Sequence, residues 1–170
     1  MGQPTVGSNP TSSAMNQSKE AMITADEAML LALEEARKAA GEGEVPVGAV
    51  GVAGGEVVAT GHNLRESSHD PTAHAEMLVL RQAAAARGSW RLDGLEFYVT
   101  LEPCLMCAGA LLAARVSRLV YAAPDPKAGA CGTLYNVCVD PRLNHEIPVL
   151  SGLMEDEASR LLSTFFAGRR

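Results

Sequence analysis

The pairing of His74-Ala75-Glu76 with Pro103-Cys104-Leu105-Met106-Cys107 constrains this chain more than any other feature in it. Zinc takes imidazole nitrogen and thiolate sulfur, usually as four ligands in a tetrahedron. His74, Cys104 and Cys107 supply three. A structural site closes with a fourth protein ligand, whereas a catalytic one leaves that place to water. Glu76 stands two residues from His74, and residues two apart do not face the same way on a helix. An acid–base role beside the open place suits it better than coordination. Two thiolates and a neutral imidazole cancel the formal charge of the ion, which weakens its pull on water and makes a nearby proton acceptor more important. The competing arrangement is a four-thiolate site of Cys104, Cys107, Cys131 and Cys138, which would leave His-Ala-Glu without a task. An isolated C-x-x-C would say far less, since it also occurs in redox pairs and in halves of structural zinc sites.

The chain is long enough, at 170 residues, for one domain with a real core. It is 47% hydrophobic with only seven aromatic residues, so Ala, Val and Leu must fill that core. No apolar run approaches a membrane span, and the polar N-terminus lacks an apolar signal segment. These features predict a cytoplasmic protein with no membrane partner, its cysteines serving as ligands and free thiols rather than disulfides. The net charge of −6 argues against nucleic acid, but seven acids fall in residues 19–44 and three more are Glu155, Asp156 and Glu157. Residues 45–152 hold ten acids and eight Lys or Arg, a balance of −2, which leaves room for a local basic surface.

Residues 1–20, rich in Gly, Pro, Ser and Thr, read as a disordered tail, and residues 21–170 as a single domain. Thr24 with Glu27 forms a capping box ahead of a helix ending near Gly41. Val47–Ala53 and Glu56–Thr60 form a hairpin over Gly54-Gly55. His62 is expected as a hydrogen-bonded or exposed loop residue; Asn63 is the better pocket candidate, since an amide both donates and accepts. Asp70-Pro71-Thr72 predicts a turn with Thr72 as N-cap, placing His74 and Glu76 in the first turn of a deeply buried helix that Gly88 closes. Leu95–Leu101 reads as a buried strand, with Pro103 in the first turn of the next helix and Cys104 and Cys107 on one face. That helix reads as core, or partly a subunit contact. Ser117–Ala123 and Ile147–Leu150 complete the strands. The small-residue stretch from Asp125 to Gly132 suits close backbone approach to a ligand, and Cys131 and Cys138 read as small, partly buried thiols. The last helix starts near Met154 and buries Phe165 and Phe166 in the core. The alternation predicts an α/β fold of three layers, α/β/α, with helices on both faces of a mixed five-stranded sheet.

The H-x-E and P-C-x-x-C pair is the signature of zinc nucleobase deaminases. More of the chain carries the likeness: Glu44 to Val50, His69 to Glu76, Tyr98 to Cys104, Met106 to Ala110, the Asp125 to Gly132 loop, Asn144-His145 and Phe165-Phe166. Over residues 22–170 these segments resemble the bacterial tRNA-specific adenosine deaminases, within the cytidine/deoxycytidylate deaminase-like zinc enzymes. The resemblance implies a cytidine deaminase-like fold and a homodimer with one Zn2+ per subunit. It implies hydrolytic conversion of adenosine to inosine at the wobble position of a tRNA anticodon stem-loop, typically the arginine tRNA. By matching position it gives zinc to His74, Cys104 and Cys107, and proton transfer to Glu76. Asn63 and the backbone of Ala75 would contact the flipped base, and Val45 and Pro46 would line its pocket. Asp125, Asn144, His145 and the terminal arginines would lie near the anticodon loop.

Two other functions share parts of this pattern. A deaminase of free guanine, cytosine or cytidine would use the same zinc chemistry, and the match around Asp125 and Asn144 favours tRNA over it. An inactive binding module would have no use for Glu76, which this chain keeps.

Overall fold

The computed structural model describes Gly2 and residues 22–169; the predicted tail of residues 1–20 otherwise lies outside them, as does Arg170. Five strands form one mixed sheet in the order β2-β1-β3-β4-β5. They are β1 (Gly48–Ala53), β2 (Glu56–His62), β3 (Leu95–Leu101), β4 (Arg118–Ala123) and β5 (Val149–Ser151). The β1–β2 hairpin and the β1–β3 pair are antiparallel, whereas β3–β4 and β4–β5 are parallel. The helices are α1 (Ala25–Gly41), a single turn α2 (Arg65–Ser68), α3 (Ala75–Arg87), α4 (Leu105–Ala113) and α5 (Glu155–Ala167). None of the described helices is long and apolar enough to cross a membrane.

Period-2 alternation along the strands divides the core into two layers. Phe97, Val99, Leu119 and Tyr121 pack with Val79, Leu80 and Ala83 of α3 and Ala108 and Leu111 of α4. Tyr98, Val120 and Ala122 face the other way, onto Ala28, Met29, Ala32 and Leu33 of α1 and Ala158 of α5. Gly48 makes the second layer possible. A Cβ there would stand 2.0 Å from the Ala32 carbonyl and 2.5 Å from the Ala36 amide, so only glycine lets β1 run this close to α1.

The predicted capping box at Thr24 forms, with Thr24 Oγ1 accepting from the Glu27 amide and the Glu27 carboxylate accepting from the Thr24 amide. Gly88 closes α3 at φ 67°. Other expectations are corrected. Thr72 does not cap α3, because Asp70 Oδ1 takes both its amide (2.8 Å) and its hydroxyl (2.7 Å) in a tight turn. His74 takes the N-cap position, in extended conformation, and α3 starts at Ala75. Likewise Pro103 precedes α4, and Cys104 is the N-cap. Strand β2 runs on to His62, whose ring is held between the Glu35 (2.7 Å) and Glu42 (3.1 Å) carboxylates. Neither α3 nor α4 is buried all round: Met77 and Leu78 are half-buried, and Leu105, Gly109 and Ala113 are exposed. Phe166 is 50% exposed rather than core, since α5 packs only one face against β4, β3 and α1. Its neighbour Phe165 meets Phe166 edge-on at 5.4 Å and carries the Arg169 guanidinium over its ring at 4.1 Å.

Candidate active site

Two helices begin on the predicted ligands. His74 caps α3, Cys104 caps α4, and Cys107 sits one turn into α4. Strand β3 delivers the chain to Cys104 at its carboxyl end, the side of a parallel pair where sites usually form. His74 Nδ1 stands 3.7 Å from Cys104 Sγ and 3.5 Å from Cys107 Sγ. A tetrahedral zinc with ordinary Zn–N and Zn–S bonds would set that N···S edge at about 3.6 Å. The donors are therefore already at the spacing the ion demands, and they are of the nitrogen and sulfur type it prefers. Among the described residues, this is the one group of three or more His, Cys, Asp or Glu side chains so placed. The four-thiolate alternative fails: Cys131 and Cys138 pair with each other at 3.5 Å, and Cys131 faces the Pro103 carbonyl. Both are fully rather than partly buried.

The electrostatics fit a metal-binding cluster. The Cys107 thiol and the His74 ring, both hydrogen-bonded to Cys104, outweigh burial and pull its pKa down to about 4. The contact with Cys104 pushes Cys107 well above an ordinary thiol, with burial and the Glu76 carboxylate adding to the rise. His74 is raised, chiefly by its contact with Cys104. Metal binding to such a cluster would release protons from its ligands. Glu76 is 3% exposed and its carboxyl is raised, first by burial. Its Oε2 has no hydrogen-bond partner, the one buried side-chain N or O among the described residues left so. A native protein tolerates such an atom where function needs it.

A cavity of about 220 Å³ opens beside this cluster. It is smaller than the roughly 300–1,000 Å³ of drug-sized sites, so it admits a base and leaves the remainder of a larger substrate outside. Of the residues expected at the base, Val45, Asn63 and Ala75 line it together with His74, Glu76 and Cys104, and so does Asp125, which was expected near the anticodon loop. Pro46 does not; it is buried between Val45 and Val47, and Val47 takes the lining place. Asn144 and His145 lie elsewhere, Asn144 accepting from Arg115 (3.0 Å) and His145 Nε2 standing 3.0 Å from the Val116 carbonyl. Arg65, Leu101 and Glu102 also line the cavity and were not singled out from the sequence, whereas Ala128 belongs to the small-residue stretch expected to approach a ligand. The nearest signal for Arg65 was a cation two residues beyond Asn63; for Glu102 it was an acid immediately ahead of Pro-Cys.

Two buried carboxylates hold the walls. Glu44, fully buried, accepts from the Glu66 amide (3.1 Å), the Ser67 amide (2.7 Å) and Asn63 Nδ2 (3.4 Å), fixing α2 and its pocket-facing neighbours. Glu102, 2% exposed, accepts from the amides of Asp125, Cys131 and Thr133, each at 3.0 Å, and from the Thr133 hydroxyl. Burial pushes both carboxyls up, but these donors outweigh it and leave each below the usual range.

The profile of the cytidine and deoxycytidylate deaminase zinc-binding region matches residues 22–123. The tRNA-specific adenosine deaminase of Bacillus subtilis (strain 168) is 53% identical over 123 residues, 72% of this chain and 76% of that one. That of Haemophilus influenzae is 48% identical over 128 residues, 75% and 74% of the two chains. A structure solved in studies of A-to-I editing by tRNA:A34 deaminases at the wobble position superposes with a TM-score of 0.77 at 47% identity, covering 79% of this chain and 98% of its own. The guanine deaminase of Nitrosomonas europaea superposes at 0.72 with 26% identity, covering 97% of each chain. A histidine and two cysteines at zinc spacing, on a mixed sheet shared with these enzymes, place this chain in the zinc-dependent cytidine and deoxycytidylate deaminase family, with the tRNA-specific adenosine deaminases among its members most similar in sequence.

Proposed function

We propose that this protein removes the 6-amino group of adenosine at the wobble position of a tRNA anticodon, typically that of the arginine tRNA, leaving inosine and ammonia. The observation that carries the reading is a base-sized cavity lined by His74 and Cys104 of the zinc triad and by Glu76, whose Oε2 is unpartnered. Zinc held by His74, Cys104 and Cys107 supplies Lewis acidity toward water. Glu76 Oε2 takes a proton there and returns it to the purine ring nitrogen or to the departing amine. Burial raises its carboxyl, as is common for acid–base groups in active sites. Asn63 offers its amide to the edge of the base and is steadied by Glu44; the Ala75 backbone also reaches the cavity, and Val45 and Val47 give the ring an apolar surface.

The relatives named above support a tRNA substrate. Arg65 at the cavity supplies a cation for the backbone beside the flipped nucleotide. Asp125, Asn144, His145 and Arg169 are the further RNA-facing candidates. An anticodon base is scarcely stacked or paired, so its extrusion costs little. A tRNA substrate also supports a cytoplasmic location. The test is to incubate the purified protein with total tRNA and sequence it, reading A as G at the first anticodon base, while following ammonia release from free guanine, cytosine and cytidine. Inosine at that base is the expected result; activity confined to the small molecules would overturn the reading in favour of a free-base or nucleoside deaminase.

The apolar face between α3 and α4 supports a homodimer. Met77, Leu80, Ala84, Ala110 and Ala113 line a shallow groove there, and Trp90, 62% exposed, stands at its edge. A second copy covers this face. Light scattering should give the mass of two chains, and Trp90→Glu should shift it to one; a monomer at micromolar concentration would remove the proposal.

A further inference from the structure

Resting on the deaminase reading above, we propose that Glu102 is a positioning residue for the reaction, holding the Asp125–Thr133 loop in place as the wall on which the substrate base rests. The geometry is specific to that task. All four hydrogen bonds recorded for its carboxylate come from this one loop, two to each oxygen: Asp125 N and Thr133 Oγ1 to Oε2, Cys131 N and Thr133 N to Oε1. The loop needs such an anchor because it has no place in the sheet. Two further ties run to the segment that carries the metal ligands: the Ala130 amide bonds to the Pro103 carbonyl (2.9 Å), and Gly129 makes a bridge with Cys104; others run to the residues that follow, among them the Val137 amide to the Ala130 carbonyl (3.0 Å). Glu102 therefore joins the ligand-bearing turn to the cavity wall formed by Asp125 and Ala128.

The fit is tight from the loop side as well. A Cβ on Gly129 would lie 2.3 Å from Glu102 Oε2 and 2.6 Å from the Asp125 carbonyl, so the loop closes onto the carboxylate only with glycine there. The Asp125 side chain is itself turned back on the loop, its Oδ1 accepting from the Lys127 (2.9 Å) and Ala128 (3.2 Å) amides. Asp125 and Ala128 thus reach the cavity as parts of one rigid loop whose position Glu102 sets. Glu102 is absent from the metal cluster, and none of its recorded hydrogen bonds goes to Glu76. Its loss should therefore disturb substrate binding more than proton transfer.

Glu102→Gln keeps the shape and replaces one acceptor oxygen with a donor, so one pair of loop donors faces an NH2 group. The expected result is a rise in KM for the anticodon stem-loop of about tenfold, the loss of one hydrogen bond to a charged group, with kcat nearly unchanged and full zinc content. The amides of Asp125, Cys131 and Thr133 should exchange hydrogen faster than in the parent. Gly129→Ala, which pushes the loop off an intact carboxylate, should raise KM in the same way. A KM within about twofold of the parent in both variants, a loss confined to kcat, or a loss that tracks zinc content would overturn the proposal. Should Glu102→Gln fail to fold, Gly129→Ala alone decides: a raised KM sustains the proposal and an unchanged one removes it. The parent enzyme is assayed alongside. If it deaminates only a free base, the substrate reading fails by itself, and the KM for that base becomes the quantity compared between variants.

Discussion

Glu76→Gln should retain one zinc per chain and an unaltered fold while its kcat for inosine formation falls by about 10²–10⁴-fold, the usual contribution of a positioned acid–base group. Glutamine fills the same volume and keeps one acceptor, but it cannot pick up a proton near neutral pH. The position makes the loss large. Glu76 Oε2 is buried without a side-chain or backbone partner, so no neighbouring side chain of the described residues stands ready to do its work. Its carboxyl is raised, a consequence first of burial, as acid–base groups in active sites commonly are. The variant is assayed by digesting the stem-loop to nucleosides and separating inosine, with zinc measured by atomic absorption on the same sample. Near-parental turnover with full metal would remove Glu76 from the chemistry.

The second large effect separates the four cysteines. Cys107→Ala should abolish both zinc binding and activity, a loss exceeding the 10–100-fold that partners outside the ligand set cost. Cys131→Ala and Cys138→Ala should bind one zinc and stay active, with a stability loss of about 1 kcal/mol from the vacated thiol volume. The three side chains are alike in size and all buried, so packing alone would make the variants behave alike. What divides them is geometry: Cys107 Sγ lies 3.5 Å from His74 Nδ1, whereas Cys131 and Cys138 face each other. Titration of each apoprotein with zinc, read by a competing chromophoric chelator, gives the comparison. Zinc lost on removing Cys131 or Cys138 would restore the four-thiolate arrangement.

Which residues were legible in the sequence follows from how local their cause is. His74, Cys104 and Cys107 were readable because ligand chemistry and spacing within one turn are properties of short segments. The capping box at Thr24 and the glycine closing α3 were readable for the same reason. The start of α3 was misplaced by a competition that a cap rule does not weigh: Asp70 claims the Thr72 hydroxyl first. Leu105 and Met77 were expected in the core because apolar character shows in sequence, while the neighbour that covers a residue does not. Asn144 and His145 matched a family pattern but stand away from the base cavity, joined to Arg115 and Val116.

By itself the sequence determined the chemistry: one nitrogen and two sulfur donors, a carboxylate two residues from the first, and an alternation of strands and helices able to bring them together. These depend on residue type and short spacing, which the chain carries wherever it folds. Only the tertiary structure decided what surrounds the chemistry. Glu44 and Glu102 become wall anchors, Val47 replaces Pro46 in the lining, and Arg65 reaches the cavity. Each of those roles needs a partner 22 or more residues away along the chain or a surface built from several elements. Such encounters arise from packing the helices onto the two faces of a twisted sheet, and no local pattern encodes them.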